Sequence, residues 1–153
     1  RIIHKMKSRP LTKPLSIICD SLKEISRYAK VSNYAYKVMR RFLPGPYTFI
    51  LEGTKFVPKI SLTKRKTVGI RVPDNPICMA LIQALGNPII STTAATPDGE
   101  QFSEPWLIEE YFGSRLELVI DGGAVPGEPS SVVSLIGDAP QIMREGIGDV
   151  ASL

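Results

Sequence analysis

Four clusters of polar residues stand beside apolar runs in this sequence, and each could do chemistry. Lys7 and Arg9 lie two residues apart, just ahead of the run KPLSIICD. Lysine is a compact point charge and arginine a two-pronged fork. Together they suit a polyphosphate, although a solvated helix end would carry the same pair. Arg71 interrupts the apolar run TVGIRVP, and Thr67, four residues earlier, shares its face of a strand. An arginine between Ile70 and Val72 needs an anionic partner or a route to water; an edge strand with a wet outer face would supply the second. The run PIISTTAATPDG passes from apolar residues into Ser91, Thr92 and Thr93. Small hydroxyl side chains leave a ligand room at the backbone and donate to phosphate or carboxylate, but a turn capping its own backbone uses the same residues. Ser130 and Ser131 open a further apolar run behind the glycine-rich stretch DGGAVPGEP. Taken together, the clusters suggest a pocket for an anionic, nucleotide-like ligand.

The elements that must position these clusters follow from local pattern. RIIHKMK opens as a helix, with Ile2, Ile3 and Met6 at helical spacing. KPLSIICD reads as a strand, and Asp20 as the N-cap of a helix over SLKEISRYA. A second helix, NYAYKVMRRFL, stops at Pro44-Gly45-Pro46, and YTFILEG follows as a strand. TKFVPKISLTKRKT is an irregular basic stretch before the strand TVGIRVP. NPICMALIQALG is a helix punctuated by Gly86, and SEPWLIEEYFG a helix with Ser103 as N-cap and Pro105 in its first turn. LELVIDGG reads as a strand, and SSVVSLIGDAPQIMREG as a β-hairpin turning at GDAP. Strands alternate with helices early and pair locally late. The pattern predicts one α/β domain: a twisted, mixed parallel and antiparallel open sheet flanked by helices. Open sheets of this class bind ligands beyond the carboxyl ends of their strands, so the polar clusters are expected there.

Composition bounds the function classes. A chain of 153 residues, 43% hydrophobic and 22% charged, can bury a real core. Its net charge of +4 is compatible with a nucleotide, RNA or another anionic partner. Basic residues gather at Lys64, Arg65 and Lys66 and at Arg40 and Arg41. Backbone phosphates of tRNA or double-stranded RNA would suit such clusters, and so would plain solvent. No run is long enough to span a bilayer, and the basic start has no apolar segment or cleavage site, so a cytoplasmic protein is expected. Cys19 and Cys78 fit neither a disulfide framework nor a zinc motif and read as reduced, buried thiols. His4 is the only histidine, which argues against a Ser-His-Asp triad or a histidine-rich metal site.

The order of motifs resembles the YrdC/YciO family, whose best-known members are threonylcarbamoyl-AMP synthases. The matching pieces are KSRP with KPLSII, LPGPYTFIL, KTVGIRVPDNP, NPIISTTAA, DGG, PSSVVSL and IMREG. The resemblance implies a single YrdC-like domain over residues 1–153, without the family's N-terminal strand and turn. The chain starts about where the following helix would end, as though a stretch of natural N-terminus were missing. The implied reaction joins L-threonine, bicarbonate and ATP into threonylcarbamoyl-adenylate, with release of pyrophosphate, for modification of a tRNA adenosine. Magnesium is expected with the ATP, and no protein metal site. By position, Lys7 and Arg9 match the pair that faces the phosphates, and Thr67, Thr93 and Arg144 further nucleotide contacts. Arg71 matches the arginine for the threonine carboxylate, with Ser91 and Ser130 on the threonine side. Ala95 stands where the family carries an asparagine, and this places the chain closer to the YciO branch. A non-catalytic domain binding double-stranded RNA or tRNA is the alternative reading.

Overall fold

The computed structural model describes residues 2–7 and 15–153. Its helices are α1 (Ile2–Met6), α2 (Leu22–Tyr28), α3 (Asn33–Phe42), α4 (Pro76–Leu85) and α5 (Pro105–Phe112). Its strands are β1 (Ser16–Ile18), β2 (Ala29–Lys30), β3 (Tyr47–Gly53), β4 (Thr67–Arg71), β5 (Ile89–Ser91), β6 (Ser131–Ser134) and β7 (Gln141–Arg144). They form one seven-stranded sheet in the order β5-β1-β4-β3-β6-β7, with β2 paired to β3 beside that path. The β1–β4 and β3–β6 pairs are parallel; β1–β5, β2–β3, β3–β4 and β6–β7 are antiparallel. The mixed open sheet expected from the sequence is therefore the sheet observed.

Register decides what each face does. Ile17, Ile70, Phe49 and Val133 lie side by side across four strands, each 2% exposed or less. Ile25 of α2 and Ala35 and Met39 of α3 belong to the same buried cluster, so these helices cover that face. Each such side chain contributes about 1.5–3 kcal/mol on burial, which fixes register, because a one-residue slip would turn the whole row outward. The residues one step along point the other way. Ser91, Ser16, Gly69, Ile50 and Ser134 form a second row across five strands, on the opposite face. That row is short-chained and largely polar.

Local chemistry explains the boundaries. The Gly86 N–H closes α4 onto the Ile82 carbonyl with Gly86 at φ 70°, as the glycine punctuation predicts. At the Pro-Gly-Pro break, the Gly45 N–H donates to the Val72 carbonyl at 3.0 Å, and a Cβ there would meet the Phe42 carbonyl at 2.5 Å. Two caps differ from expectation by one residue. Ser21, not Asp20, caps α2: its Oγ accepts from the Glu24 N–H, and Asp20 instead accepts the Ser21 hydroxyl at 2.7 Å. Glu104, not Ser103, precedes α5 and makes no side-chain cap, because the proline at N1 already removes one of the unsatisfied N–H groups. The Ser103 carbonyl instead accepts from the Val125 N–H at 2.8 Å.

The strand expected over LELVIDGG is absent: residues 116–123 lie outside every ladder. Leu118 is 75% exposed and Ile120 48%, so the apolar side chains that favour a strand by composition gain little burial to hold them in one. Cys19 is buried as expected, whereas Cys78 is only half-buried; both are free thiols. Among the described residues no helix is long and apolar enough to cross a membrane.

Candidate functional site

The polar row of the sheet floors a cavity of about 370 Å³. Ser16, Thr48 and Ile50 rise from the floor, and Gly69 leaves its centre open. A Cβ on Gly69 would lie 3.1 Å from both the Ser16 Oγ and the Thr48 Cγ2. Ser91, Thr92 and Thr93 close one side from the end of β5; Ser130 and Arg144 close the other. Arg71 enters from the end of β4 and Lys7 from the turn after α1. Three cations, Lys7, Arg71 and Arg144, thus face one cavity whose lining contains no carboxylate. Such a site favours an anion.

Each cation is held differently. The Lys7 ammonium donates to the Thr93 carbonyl, joining the start of the chain to the loop after β5. Arg144 donates to the Ser130 carbonyl through Nη2 at 2.7 Å and Nε at 3.2 Å, so its fork is aimed before any ligand arrives. The Ser130 hydroxyl meets the Thr48 Oγ1 at 2.8 Å, which ties this loop to the sheet floor. Arg71 is the unsatisfied member: its Nε is buried and has no hydrogen-bond partner among the described residues. Burial pushes the Arg71 guanidinium below its ordinary pKa; Cys78 opposes that effect and the nearby Arg144 adds to it. A buried, partnerless donor beside a second cation costs stability unless an anion occupies the cavity.

The hydroxyl run has a defined shape. Ser91 pairs with Ser16 across the antiparallel β1–β5 ladder, and its hydroxyl reaches the Ser16 carbonyl at 3.5 Å. Beyond it the chain turns back through Thr96 to Gly99, closed by a bridge between Ala95 and Gln101. Gly99, at φ 95°, supplies the positive dihedral this turn needs. The turn walls a second chamber of about 250 Å³, lined by Ala95, Thr96, Pro97, Gly99 and Gln101. Lys7, Thr93 and Arg144 line both chambers and form the boundary between them.

Of the residues singled out in the sequence, the fold brings Lys7, Arg71, Ser91, Thr93, Ser130 and Arg144 to the first chamber. Arg9 lies outside the described residues. Thr67 does not line either chamber; it begins β4, at the far end from Arg71, and its hydroxyl pairs with that of Thr63 at 2.7 Å. The cavity sits on the sheet face; Arg71, Ser91 and Arg144 reach it from the carboxyl ends of β4, β5 and β7, whereas Ser16 and Thr48 reach it from near the starts of β1 and β3. Adjacent strands run in both directions, so the sheet has no common carboxyl edge. Nor does Arg71 lie on an edge strand, since β4 is flanked by β1 and β3. Sequence reasoning missed Ser16 and Thr48. Alternation in YTFILEG could have placed Thr48, since it must face away from its buried neighbour Phe49.

Lys64, Arg65 and Lys66 are exposed just before β4, away from the cavity, and Arg40 and Arg41 close α3, where cations favour the helix carboxyl end. Among the described residues no group of three or more His, Cys, Asp or Glu gathers to hold a metal. With no carboxylate in either lining, these residues do not build a magnesium site of their own.

Comparison with known proteins fits this geometry. Residues 1–146 match the Sua5/YciO/YrdC family model, described as telomere recombination. The chain is 42% identical over 151 residues to the uncharacterized protein YciO of Escherichia coli K12, covering 97% of this chain and 73% of that protein. The crystal structure of E. coli YciO superposes with a TM-score of 0.92, at 41% identity, covering 98% of this chain and 74% of that one. A putative threonylcarbamoyl-AMP synthase of Methanocaldococcus jannaschii is 32% identical, covering all of this chain and 72% of its own length. Pyrococcus abyssi Sua5, solved in complex with L-threonine, gives a TM-score of 0.88 at 30% identity, covering 94% of this chain and 43% of that one. A family model spanning nearly the whole chain, and relatives that share both sequence and sheet, establish that this chain belongs to the Sua5/YciO/YrdC family.

Proposed function

We propose that this chain binds ATP and a small amino acid, L-threonine by analogy with its relatives, and joins them through bicarbonate into a carbamoyl-adenylate, releasing pyrophosphate. The observation that carries this reading is the convergence of Lys7, Arg71 and Arg144 on a carboxylate-free, hydroxyl-lined cavity. Its relatives named threonylcarbamoyl-AMP synthase, and the threonine complex of one of them, support the choice of substrates.

The roles follow from position. Arg71, fixed at the end of β4 and with its Nε lacking a partner among the described residues, takes the substrate carboxylate in its fork. The hydroxyls of Ser91 and Ser130 face the cavity from its two sides and orient the amino acid between them. The neutral amine attacks carbon dioxide, formed from bicarbonate by uptake of a proton and loss of water, and gives up a proton to become a carbamate; a carbamate oxygen then attacks the α-phosphorus while pyrophosphate leaves. Lys7, Thr93 and Arg144, on the boundary between the chambers, stabilise the charge that grows on the phosphoryl oxygens. Such a reaction depends on positioning and needs no protein nucleophile, which suits a chain with one histidine. Magnesium would arrive as a ligand of the phosphates.

The test is pyrophosphate release from ATP, magnesium and bicarbonate, with and without threonine. Threonine-dependent release supports the reading. Failure of release together with failure to bind ATP removes it, and leaves a double-stranded RNA or tRNA surface as the alternative; that binding would weaken steeply with salt.

A further inference from the structure

The stretch LPGPYTFIL ends its proline-rich turn just before Thr48, a residue that the reaction proposed above does not use. Thr48 is 6% exposed, and its hydroxyl meets one partner among the described residues, the Ser130 Oγ at 2.8 Å. Its methyl group borders Gly69 on the cavity floor, while its hydroxyl reaches across to the wall.

The wall does not need this contact to stand. The Ser131 N–H donates to the Pro46 carbonyl at 3.0 Å, and the Ile147 N–H to the Pro129 carbonyl at 2.9 Å. The Ser131 hydroxyl donates to the Gly148 carbonyl and accepts from the Gly146 N–H. The backbone on both sides of Ser130 is thus fixed without Thr48, and what Thr48 decides is the direction of one hydroxyl. A hydroxyl has one proton to donate and two lone pairs that accept. Arg144 Nη2, which can only donate, approaches the Ser130 Oγ at 3.5 Å and takes one of those lone pairs. Were Ser130 to donate to Thr48, its proton would be turned into the wall, and the Thr48 proton would have no acceptor among the described residues. With Thr48 as donor, both lone pairs of Ser130 are engaged and its proton is left for the cavity. The charged groups lining that cavity are all cations, so it favours a ligand rich in acceptors, and this second arrangement makes one more hydrogen bond to it.

We propose that Thr48 is a positioning residue: it donates to Ser130 and so turns the Ser130 hydroxyl outward, as a donor to an acceptor oxygen of the bound amino acid. This rests on the amino-acid reading of the cavity. The test measures, by calorimetry, binding of magnesium-ATP and of L-threonine in its presence. It compares the unaltered protein with Thr48→Val, Thr48→Ser, Ser130→Ala and the Thr48→Val/Ser130→Ala pair. Valine keeps the shape and loses the hydroxyl; serine keeps the hydroxyl. Thr48→Val is expected to weaken threonine roughly tenfold and magnesium-ATP by less than about twofold. Thr48→Ser should bind threonine as the parent does, and the double variant no more weakly than Ser130→Ala, because the two hydroxyls act as one unit. Threonine affinity unchanged by Thr48→Val, additive losses in the double variant, or equal losses for threonine and ATP each overturn the proposal and leave the cavity reading standing. So do amide shifts of Thr48→Val that depart from the parent at the buried residues Phe49 and Val133, since Thr48 would then serve the fold. Failure of the unaltered protein to bind threonine overturns the proposal; failure to bind magnesium-ATP as well removes the reading beneath it.

Discussion

Arg71 ends the central strand β4 with its Nε cut off from water and from every described acceptor, beside the second cation Arg144. An unmade buried hydrogen bond costs about 1–3 kcal/mol. The rest of the guanidinium lines an open cavity, so the net cost here is near the low end, about 1 kcal/mol. Arg71→Met keeps the aliphatic stem packed while removing the charge. The variant should therefore be more stable than the parent by about 1 kcal/mol, a rise of about 2–4 °C in melting temperature at this size. Burial lowers the Arg71 pKa, so its charged form is the one the fold disfavours, and the cost is fully present at any pH below that lowered value. The stability gain should accordingly be the same at pH 6 and pH 8. Binding should move the other way. Losing a charge-assisted contact of about 1.5–3 kcal/mol weakens threonine or another carboxylate ligand by roughly 10- to 100-fold. Thermal melts without ligand and calorimetry with threonine and ATP measure both. A variant that melts several degrees lower, with affinity intact, would show that Arg71 serves the fold and not the ligand.

Gly69→Val should fill the floor of the cavity, since even its Cβ meets Ser16 and Thr48 at 3.1 Å. Overpacking of this kind costs about 1–3 kcal/mol, and nucleotide affinity should fall at least tenfold in the same calorimetric assay. Phe49→Ala empties the centre of the covered face, where the ring is fully buried, and should cost about 3–5 kcal/mol by denaturant unfolding. Burial, with Glu24 and Asp20 adding to it, pushes the Cys19 thiol from its ordinary 9.0 up to about 12. A thiol reagent at pH 8 should modify Cys78 and spare Cys19, giving one labelled thiol per folded chain. Because the raised pKa keeps Cys19 protonated in the fold, its contribution to stability should be intact below pH 9 and decline between pH 9 and about 12.

Much of the fold was legible in the sequence because its signals are local. Gly86, the Pro44-Gly45-Pro46 break and the GDAP hairpin each state a boundary through backbone chemistry that tertiary context does not override. Residues 116–123 misled because a β-rich composition reports how well side chains fit a pleated surface, not how much burial they gain there. The two-residue β2 was invisible, being held only by its pairing with Gly53 and Glu52. For the site, Lys7, Arg71, Ser91, Thr93, Ser130 and Arg144 stood out as charges and hydroxyls interrupting or ending apolar runs, or through family resemblance, and they do meet in one cavity. Thr48 and Ser16 were hidden inside strands, where alternation alone marks them as facing away from the core. Gln101 was hidden more deeply: its place depends on a bridge to Ala95 formed only once the loop closes. The expectation that chemistry lies at strand carboxyl ends holds for Arg71, Ser91 and Arg144, which end β4, β5 and β7, but not for Ser16 and Thr48, which lie near strand starts because neighbouring strands here run both ways.

The most direct measurement is a titration of ¹⁵N-labelled protein with magnesium-ATP, followed by backbone amide shifts. The account predicts perturbations clustered on the open sheet face: Ser16, Thr48, Gly69, Ser91 to Thr93, Ser130 and Arg144. The covered-face residues Phe49 and Val133 should be far less affected. Shifts confined to Lys64, Arg65 and Lys66, or none at saturating nucleotide, would contradict the claim that this face is the ligand site.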